Sequence, residues 1–153
     1  MREGSTDLER CYQNQREKLW RALLLFSGSP EVASDAMAEA FTQALRRGDA
    51  IRDLDRWVWR TAFAIARGEL KRLGTAEPLA DMPIEMPDPT VDLVRALEHL
   101  SSKQRASIVL HHYAGYSTKE TAEIIGSTAP AVGVHLYRAR ARLRMLLQET
   151  PDA

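Results

Sequence analysis

The sequence predicts an all-α protein made of two small helical bundles. The first has three helices, the second carries a helix-turn-helix, and a proline-rich acidic tether joins them. Three observations lead there. Apolar residues recur at helical spacing almost throughout, and no segment alternates as a half-buried strand would. Capping residues stand where the apolar runs begin. Between the runs, Pro78, Pro83, Pro87 and Pro89 crowd a stretch with no periodic apolar face.

Taken in order, the first helix runs from about Leu8 to Phe26 and stops near Gly28. Ser29-Pro30 then supplies an N-cap followed by a proline at the first helical position, where its missing N–H costs nothing. The second helix extends to about Arg47, before Gly48. Asp53 caps a third, which carries Trp57, Trp59, Phe63 and Ile65 and reaches about Arg72. Residues 73–90 read as an extended, mobile linker. Helices resume near Val91. Ser101 with Gln104 forms one capping box, for a helix reaching about Tyr113, and Ser117 with Glu120 forms another. The expected domains are therefore 1–72 and 91–153.

The bulk numbers set limits. A chain of 153 residues, 44% hydrophobic and 27% charged, fits an ordinary globular protein of one or two domains. No apolar run approaches the ~20 residues of a membrane span, so membrane insertion is not expected. Nor does Met1-Arg2-Glu3-Gly4-Ser5 lead into a signal-peptide core, which makes the cytoplasm the expected location. Cys11 is alone and agrees with a reducing compartment. His111 and His112 are adjacent, so on a helix they point apart and cannot share a metal as an i, i+4 pair could. No phosphate-binding loop, paired nucleophile and base, or convergent carboxylates stand in the chain. Neither a cofactor nor enzymatic activity is expected.

The formal net charge is zero, but the charge is unevenly placed. Glu77, Asp81, Glu85, Asp88 and Asp92 crowd the middle, and Arg138, Arg140, Arg142 and Arg144 crowd one helix near the end. That helix, from Ala129 to about Leu147, follows a short one from Ser117 to Ile125 across Gly126-Ser127-Thr128. Thr128 serves as its N-cap and Pro130 lies in its first turn. Ala122 and Ile125 face Val132 and Leu136 across the turn. This is the pattern of a helix-turn-helix, with the arginines placed for phosphate contacts.

The third helix carries a second basic feature. At ~100° per residue, Arg56, Arg60, Arg67 and Lys71 fall in one narrow sector, with Trp57 and Phe63 flanking it and Trp59 facing the core. A basic stripe bordered by aromatics suits single-stranded DNA, the charges tracking phosphates and the rings stacking on bases.

Leu100-Ser101-Ser102-Lys103-Gln104-Arg105, the run Gly115 to Gly126 and the run Val132 to Arg144 resemble region 4 of the sigma-70 family. The resemblance implies minus-35 contacts from Thr128, Ala131, Val134, His135, Arg138 and Arg142. Trp57 to Ala62, continuing through Leu70-Lys71-Arg72, is similar to the region 2 helix that captures the minus-10 element. It implies minus-10 contacts from Arg56, Trp57, Arg60, Phe63, Arg67 and Lys71. The run Pro30 to Phe41 resembles the segment that docks on the clamp helices of the beta-prime subunit of RNA polymerase core, implying roles for Asp35, Glu39 and Phe41.

The order region 2, linker, region 4 is that of the extracytoplasmic function (ECF, group 4) sigma factors. It implies a factor that directs RNA polymerase core to promoter DNA, with an anti-sigma factor as a further partner. Eighteen linker residues at ~3.3 Å each reach roughly 60 Å, enough to separate two elements by about 17 base pairs.

Several positions depart from the family pattern. Ala38 stands where glutamine is usual, and Ala64 and Gly68 replace an asparagine and an aspartate. Gly133, Val134 and His135 replace polar or basic residues that face the minus-35 element. Base-edge readout needs hydrogen-bonding side chains. Two other readings therefore remain open on the residues alone: a stand-alone helix-turn-helix regulator, and a sigma-like module that binds an anti-sigma factor without binding DNA.

Overall fold

The computed structural model describes residues 2–74 and 88–149, and its helices begin where the capping residues stand, except that α1 starts at Arg2, ahead of the expected Leu8. The helices are α1 (Arg2–Ser27), α2 (Pro30–Arg47), α3 (Leu54–Leu73), α4 (Asp88–Glu98), α5 (Ser102–Ile108), α6 (Thr118–Ile125) and α7 (Ala129–Glu149). A 3-10 turn spans Gly48–Ala50 and a π turn spans Val109–Tyr113. No strand occurs among the described residues.

Two compact units result, Met1–Ala76 and Glu77–Ala153. Most of the expected linker, residues 75–87, lies outside the described residues, and with it Glu77, Pro78, Asp81, Pro83, Glu85 and Pro87. At its edges, α3 continues to Leu73 and α4 already begins at Asp88. Pro89 thus falls inside the first turn of a helix, a place that tolerates it because that N–H has no intrahelical partner.

In the first unit the Ser29 side chain accepts from the Val32 N–H at 3.2 Å, and the Asp53 carboxylate from the Arg56 N–H at 3.2 Å. Gly48, at φ 61°, ends α2 in a backbone region that favours glycine. The buried face of α2 is mostly alanine (Ala33, Ala36, Ala40 and Ala44), so the helices beside it can approach closely. Volume comes from its neighbours instead. Leu19, Leu23, Leu24 and Phe26 of α1 and Val58, Trp59 and Phe63 of α3 are all buried, with Phe26 against Phe63. The buried Trp59 indole donates to Gln15 Oε1 at 2.9 Å, and Gln15 Nε2 donates to Asp55 at 3.3 Å. Cys11 is buried close by. Burial first, then a hydrogen bond with Asp55, pushes its thiol far above the ordinary range, so it stays protonated and unreactive.

In the second unit both capping boxes close in both directions. Ser101 and Gln104 exchange bonds of 3.2 Å, and Ser117 and Glu120 exchange bonds of 3.0 Å. Gly126, at φ 68°, makes the left-handed turn of the helix-turn-helix, and Ala122, Ile125, Val132 and Leu136 are all buried around it. The expected helix to Tyr113 differs in one respect. It widens after Ile108 into the π turn, closed by Ala114 N–H to Val109 O at 3.0 Å. Val109, Leu110 and Ala114 are all buried at this turn.

Gly68 and Gly133 sit within α3 and α7 at exposed positions, and a Cβ at either would meet nothing within 4 Å. Glycine weakens a helix interior by up to ~1 kcal/mol relative to alanine. Gly68→Ala and Gly133→Ala are therefore each expected to stabilise the chain by about 0.5–1 kcal/mol. Thermal or urea unfolding followed by circular dichroism measures this, and an unchanged or lower midpoint would contradict it.

Candidate nucleic-acid interface

On α3 the basic sector is presented outward. Arg60, Arg67 and Lys71 are exposed, Arg56 is half-buried at the capped first turn, and Ala64 and Gly68 lie beside them without bulk. Arg56 lies 3.8 Å from the Asp53 carboxylate, so its charge is partly engaged by the cap. Trp57 is half-buried on one rim, with the Arg47 guanidinium 5.7 Å from its ring centre. Arg47 was not expected at this site. Its placement at the end of α2 gave no sequence signal, because the contact joins residues of two different helices.

Phe63 corrects the expectation of a ring on the opposite rim. It is 3% exposed, with its ring 5.2 Å from Phe26 and 6.0 Å from Trp59, nearly parallel to the latter. A ring packed on both sides cannot stack on a base without leaving the core. The exposed surface is thus a row of cations with one aromatic border, Trp57.

On α2, Asp35 and Glu39 project from one exposed face, and the Glu39 carboxylate accepts from Gln43 Nε2 at 3.1 Å. Phe41 is not presented in the same way. Its ring is 9% exposed and meets Tyr12 edge-on at 5.0 Å, so it belongs to the packing of α1 on α2. With Leu8, Tyr12 and Leu45 it forms the wall of a shallow groove, and any contact it makes with a partner would be through that wall.

On α7 the four arginines separate. Successive alternate positions on a helix lie about 200° apart. Arg138 and Arg142 therefore share a face with Ala131, Val134 and His135, while Arg140 and Arg144 point elsewhere. Arg140 donates from both its Nε and a terminal nitrogen to His112 Nε2, at 3.1 and 3.0 Å. The expectation of one arginine patch is corrected to two separate faces, with Arg138 and Arg142 on one of them. Thr128 caps the helix, its hydroxyl accepting from the Ala131 N–H at 3.3 Å, and it remains exposed at the end of that same face. Val134 is half-exposed, an apolar surface in the middle of the row.

The histidines take defined roles. His111 Nδ1 lies 2.7 Å from the Tyr116 carbonyl, so that nitrogen carries the hydrogen. Its ring meets His112 edge-on with centres 4.9 Å apart. Among the described residues no group of three or more His, Cys, Asp or Glu is placed to hold a metal ion.

His112 and His135 are both held below the ordinary histidine value. Burial acts first on each, followed by Arg140 and His111 for His112, and by Lys103 and Arg138 for His135. The unfolded chain takes up these protons near pH ~6.5, whereas the folded chain resists them. Their contribution to stability is thus complete above that value and declines as pH falls below it. The melting temperature of a His112→Gln, His135→Gln variant is expected to drop less than that of the wild type between about pH 7.5 and 5.5. Equal drops would contradict this assignment.

A helix-turn-helix with an outward basic face, and a separate three-helix unit with a basic stripe, have the form of a helical nucleic-acid-binding class of protein. Comparison with known proteins narrows the class. The family model described as Sigma-70, region 4 matches residues 90–143. The RNA polymerase sigma-E factor of Streptomyces avermitilis is 31% identical across 93% of this chain and 86% of its own length. The ECF RNA polymerase sigma factor SigM of Mycobacterium tuberculosis is 29% identical, covering 91% of this chain and 76% of that one.

Two solved structures share the fold. CnrH, in complex with the cytosolic domain of CnrY, superposes with a TM-score of 0.76 over 96% of this chain and 91% of that chain, at 21% identity. The sigma factor RpoE of Bartonella quintana, in complex with the anti-sigma factor NepR, gives 0.75 over 95% and 99%, at 20% identity. The chain belongs to the ECF group of RNA polymerase sigma factors, and its role is in transcription initiation. No helix among the described residues is long and apolar enough to cross a membrane.

Proposed function

We propose that the chain directs RNA polymerase core to promoters by dividing three contacts among α2, α3 and α7. The exposed Asp35 and Glu39 face of α2 meets basic residues on the clamp helices of the beta-prime subunit, with Ala38 leaving room between them. Arg60, Arg67 and Lys71 of α3, helped by Arg56 and bordered by Trp57 and Arg47, hold the phosphates of the opened minus-10 strand. Ala131, Val134, His135, Arg138 and Arg142, with Thr128 at the start of the face, lie against the minus-35 duplex.

The observation that carries this reading is the outward row of cations on α3 beside the half-buried Trp57 indole. A stand-alone duplex-binding regulator has no need of it. With Gly133, Val134 and His135 in place of hydrogen-bonding side chains, the minus-35 contact rests more on phosphates than on base edges. An anti-sigma partner is part of the proposal, since RpoE of Bartonella quintana was solved bound to one. The chain works without a cofactor and in the cytoplasm, and the phosphodiester chemistry belongs to the polymerase.

In-vitro transcription tests this with core polymerase and a pool of genomic promoter fragments. Start-site-specific transcripts that require the chain are expected. A folded chain that neither binds core nor yields transcripts would leave sigma ancestry without sigma function, and binding to an anti-sigma factor alone would then be the function.

A further inference from the structure

α1 takes no part in the contacts assigned to α2, α3 and α7, yet one of its side chains grips α3 at two points. The half-buried Gln15 carboxamide accepts from the Trp59 indole at 2.9 Å through Oε1 and donates to the Asp55 carboxylate at 3.3 Å through Nε2. Asp55 and Trp59 are four residues apart and so share one face of α3. Cys11, four residues before Gln15 on α1, hydrogen-bonds with Asp55 as well, its protonated thiol being the donor.

Apolar packing keeps α3 close to its neighbours but is non-directional. The alanine-lined face of α2 offers only shallow ridges against which another helix could lock. Hydrogen bonds do have direction, and two of them from a single carboxamide resist rotation of α3 about its own axis. At ~100° per residue, the row Arg60, Arg67 and Lys71 lies roughly 120° round the helix from the face of Asp55 and Trp59. A rotation of about 20° would carry side-chain ends, about 5–6 Å from the axis, by about 2 Å. That is enough to lose a phosphate contact.

We propose that Gln15 is a positioning residue for the minus-10 surface: it touches no DNA, but by fixing the rotation of α3 it sets where Arg60, Arg67 and Lys71 point. This rests on reading α3 as the strand-capturing helix. Paired substitutions separate the role from plain packing. Gln15→Glu keeps the volume and the acceptor for Trp59, but sets a second carboxylate against Asp55. Adding Asp55→Asn restores the pair in the reverse sense, since the new amide donates to the new carboxylate and still accepts from Cys11.

The full chain is tested with core polymerase on a promoter recovered from the fragment pool. The rate at which minus-10 thymines become permanganate-reactive is followed against promoter concentration, at a temperature where circular dichroism shows each variant fully folded. In Gln15→Glu the maximal opening rate is expected to fall about three- to ten-fold, as for the loss of one directed hydrogen bond. The promoter concentration giving half that rate, and the affinity for core, should stay within about two-fold of wild type. Gln15→Glu with Asp55→Asn should bring the rate back. A role in stability alone would lower the fraction of active complex and leave the rate of that fraction unchanged.

A wild-type opening rate in Gln15→Glu, or a slow rate that Asp55→Asn does not restore, would overturn the positioning role. The Arg60→Ala, Arg67→Ala, Lys71→Ala variant tells the two failures apart. If it alone is slow, the reading of α3 stands without Gln15; if it too opens promoters at the wild-type rate, both fall.

Discussion

Replacing Phe63 with alanine is expected to cost about 3–5 kcal/mol, enough to unfold much of the first unit at physiological temperature. The ring is 3% exposed and lies between Phe26 and Trp59, so its removal opens a cavity that the alanine-lined neighbouring helix cannot fill. For a unit of this size each 1 kcal/mol shifts the melting temperature by roughly 4–8 °C, so a fall on the order of 20 °C is expected by circular dichroism. Activity would be lost as well, but through the fold. A Phe63→Leu variant, which keeps most of the volume, should recover stability and transcription together. If Phe63→Ala instead melted like the wild type while losing DNA binding, the ring would be a base-stacking surface after all.

The second large effect is expected from the combined change Arg60→Ala, Arg67→Ala, Lys71→Ala. All three positions are exposed, so folding should be nearly untouched. Each phosphate contact to a single strand contributes about −0.7 to the slope of log affinity against log salt. Removing three should reduce promoter-specific transcription by at least about ten-fold at physiological salt and flatten its salt dependence. Core binding, assigned to α2, should remain. A variant that transcribes at wild-type levels would show that this row is only a solvated helix face.

Both expectations turn on how much of the site could be read before the fold was known. Helix starts were legible because their chemistry is local. Ser29-Pro30, Asp53, Ser101 with Gln104 and Ser117 with Glu120 each satisfy a neighbouring N–H within three residues, and the structure places all of those bonds. The α3 stripe was legible because helical spacing alone brings four cations to one side. Phe63 was not, since it sits at the border of the stripe, and packing from Phe26, far away in sequence, decides that it faces inward.

Cross-helix contacts were equally hidden. Arg47 on Trp57 and Arg140 on His112 each join two elements, and neither has a local sequence signature. The split of the α7 arginines was in principle readable from their alternate spacing. Their closeness in sequence suggested a single patch that the helix does not form. The π turn after Ile108 has no local sequence signature that helical periodicity would reveal.

In the proposed function, exposed cations of α3 hold the melted minus-10 strand while its buried aromatics hold the fold. Permanganate reactivity of promoter thymines, in complexes of core polymerase with the wild-type chain or the Arg60, Arg67, Lys71 triple variant, addresses it directly. Reactive thymines around minus-10 are expected with the wild type and little reactivity with the triple variant, although the variant should bind core and melt at the same temperature. Equal reactivity in the two complexes would contradict it and move strand capture to another surface of the chain.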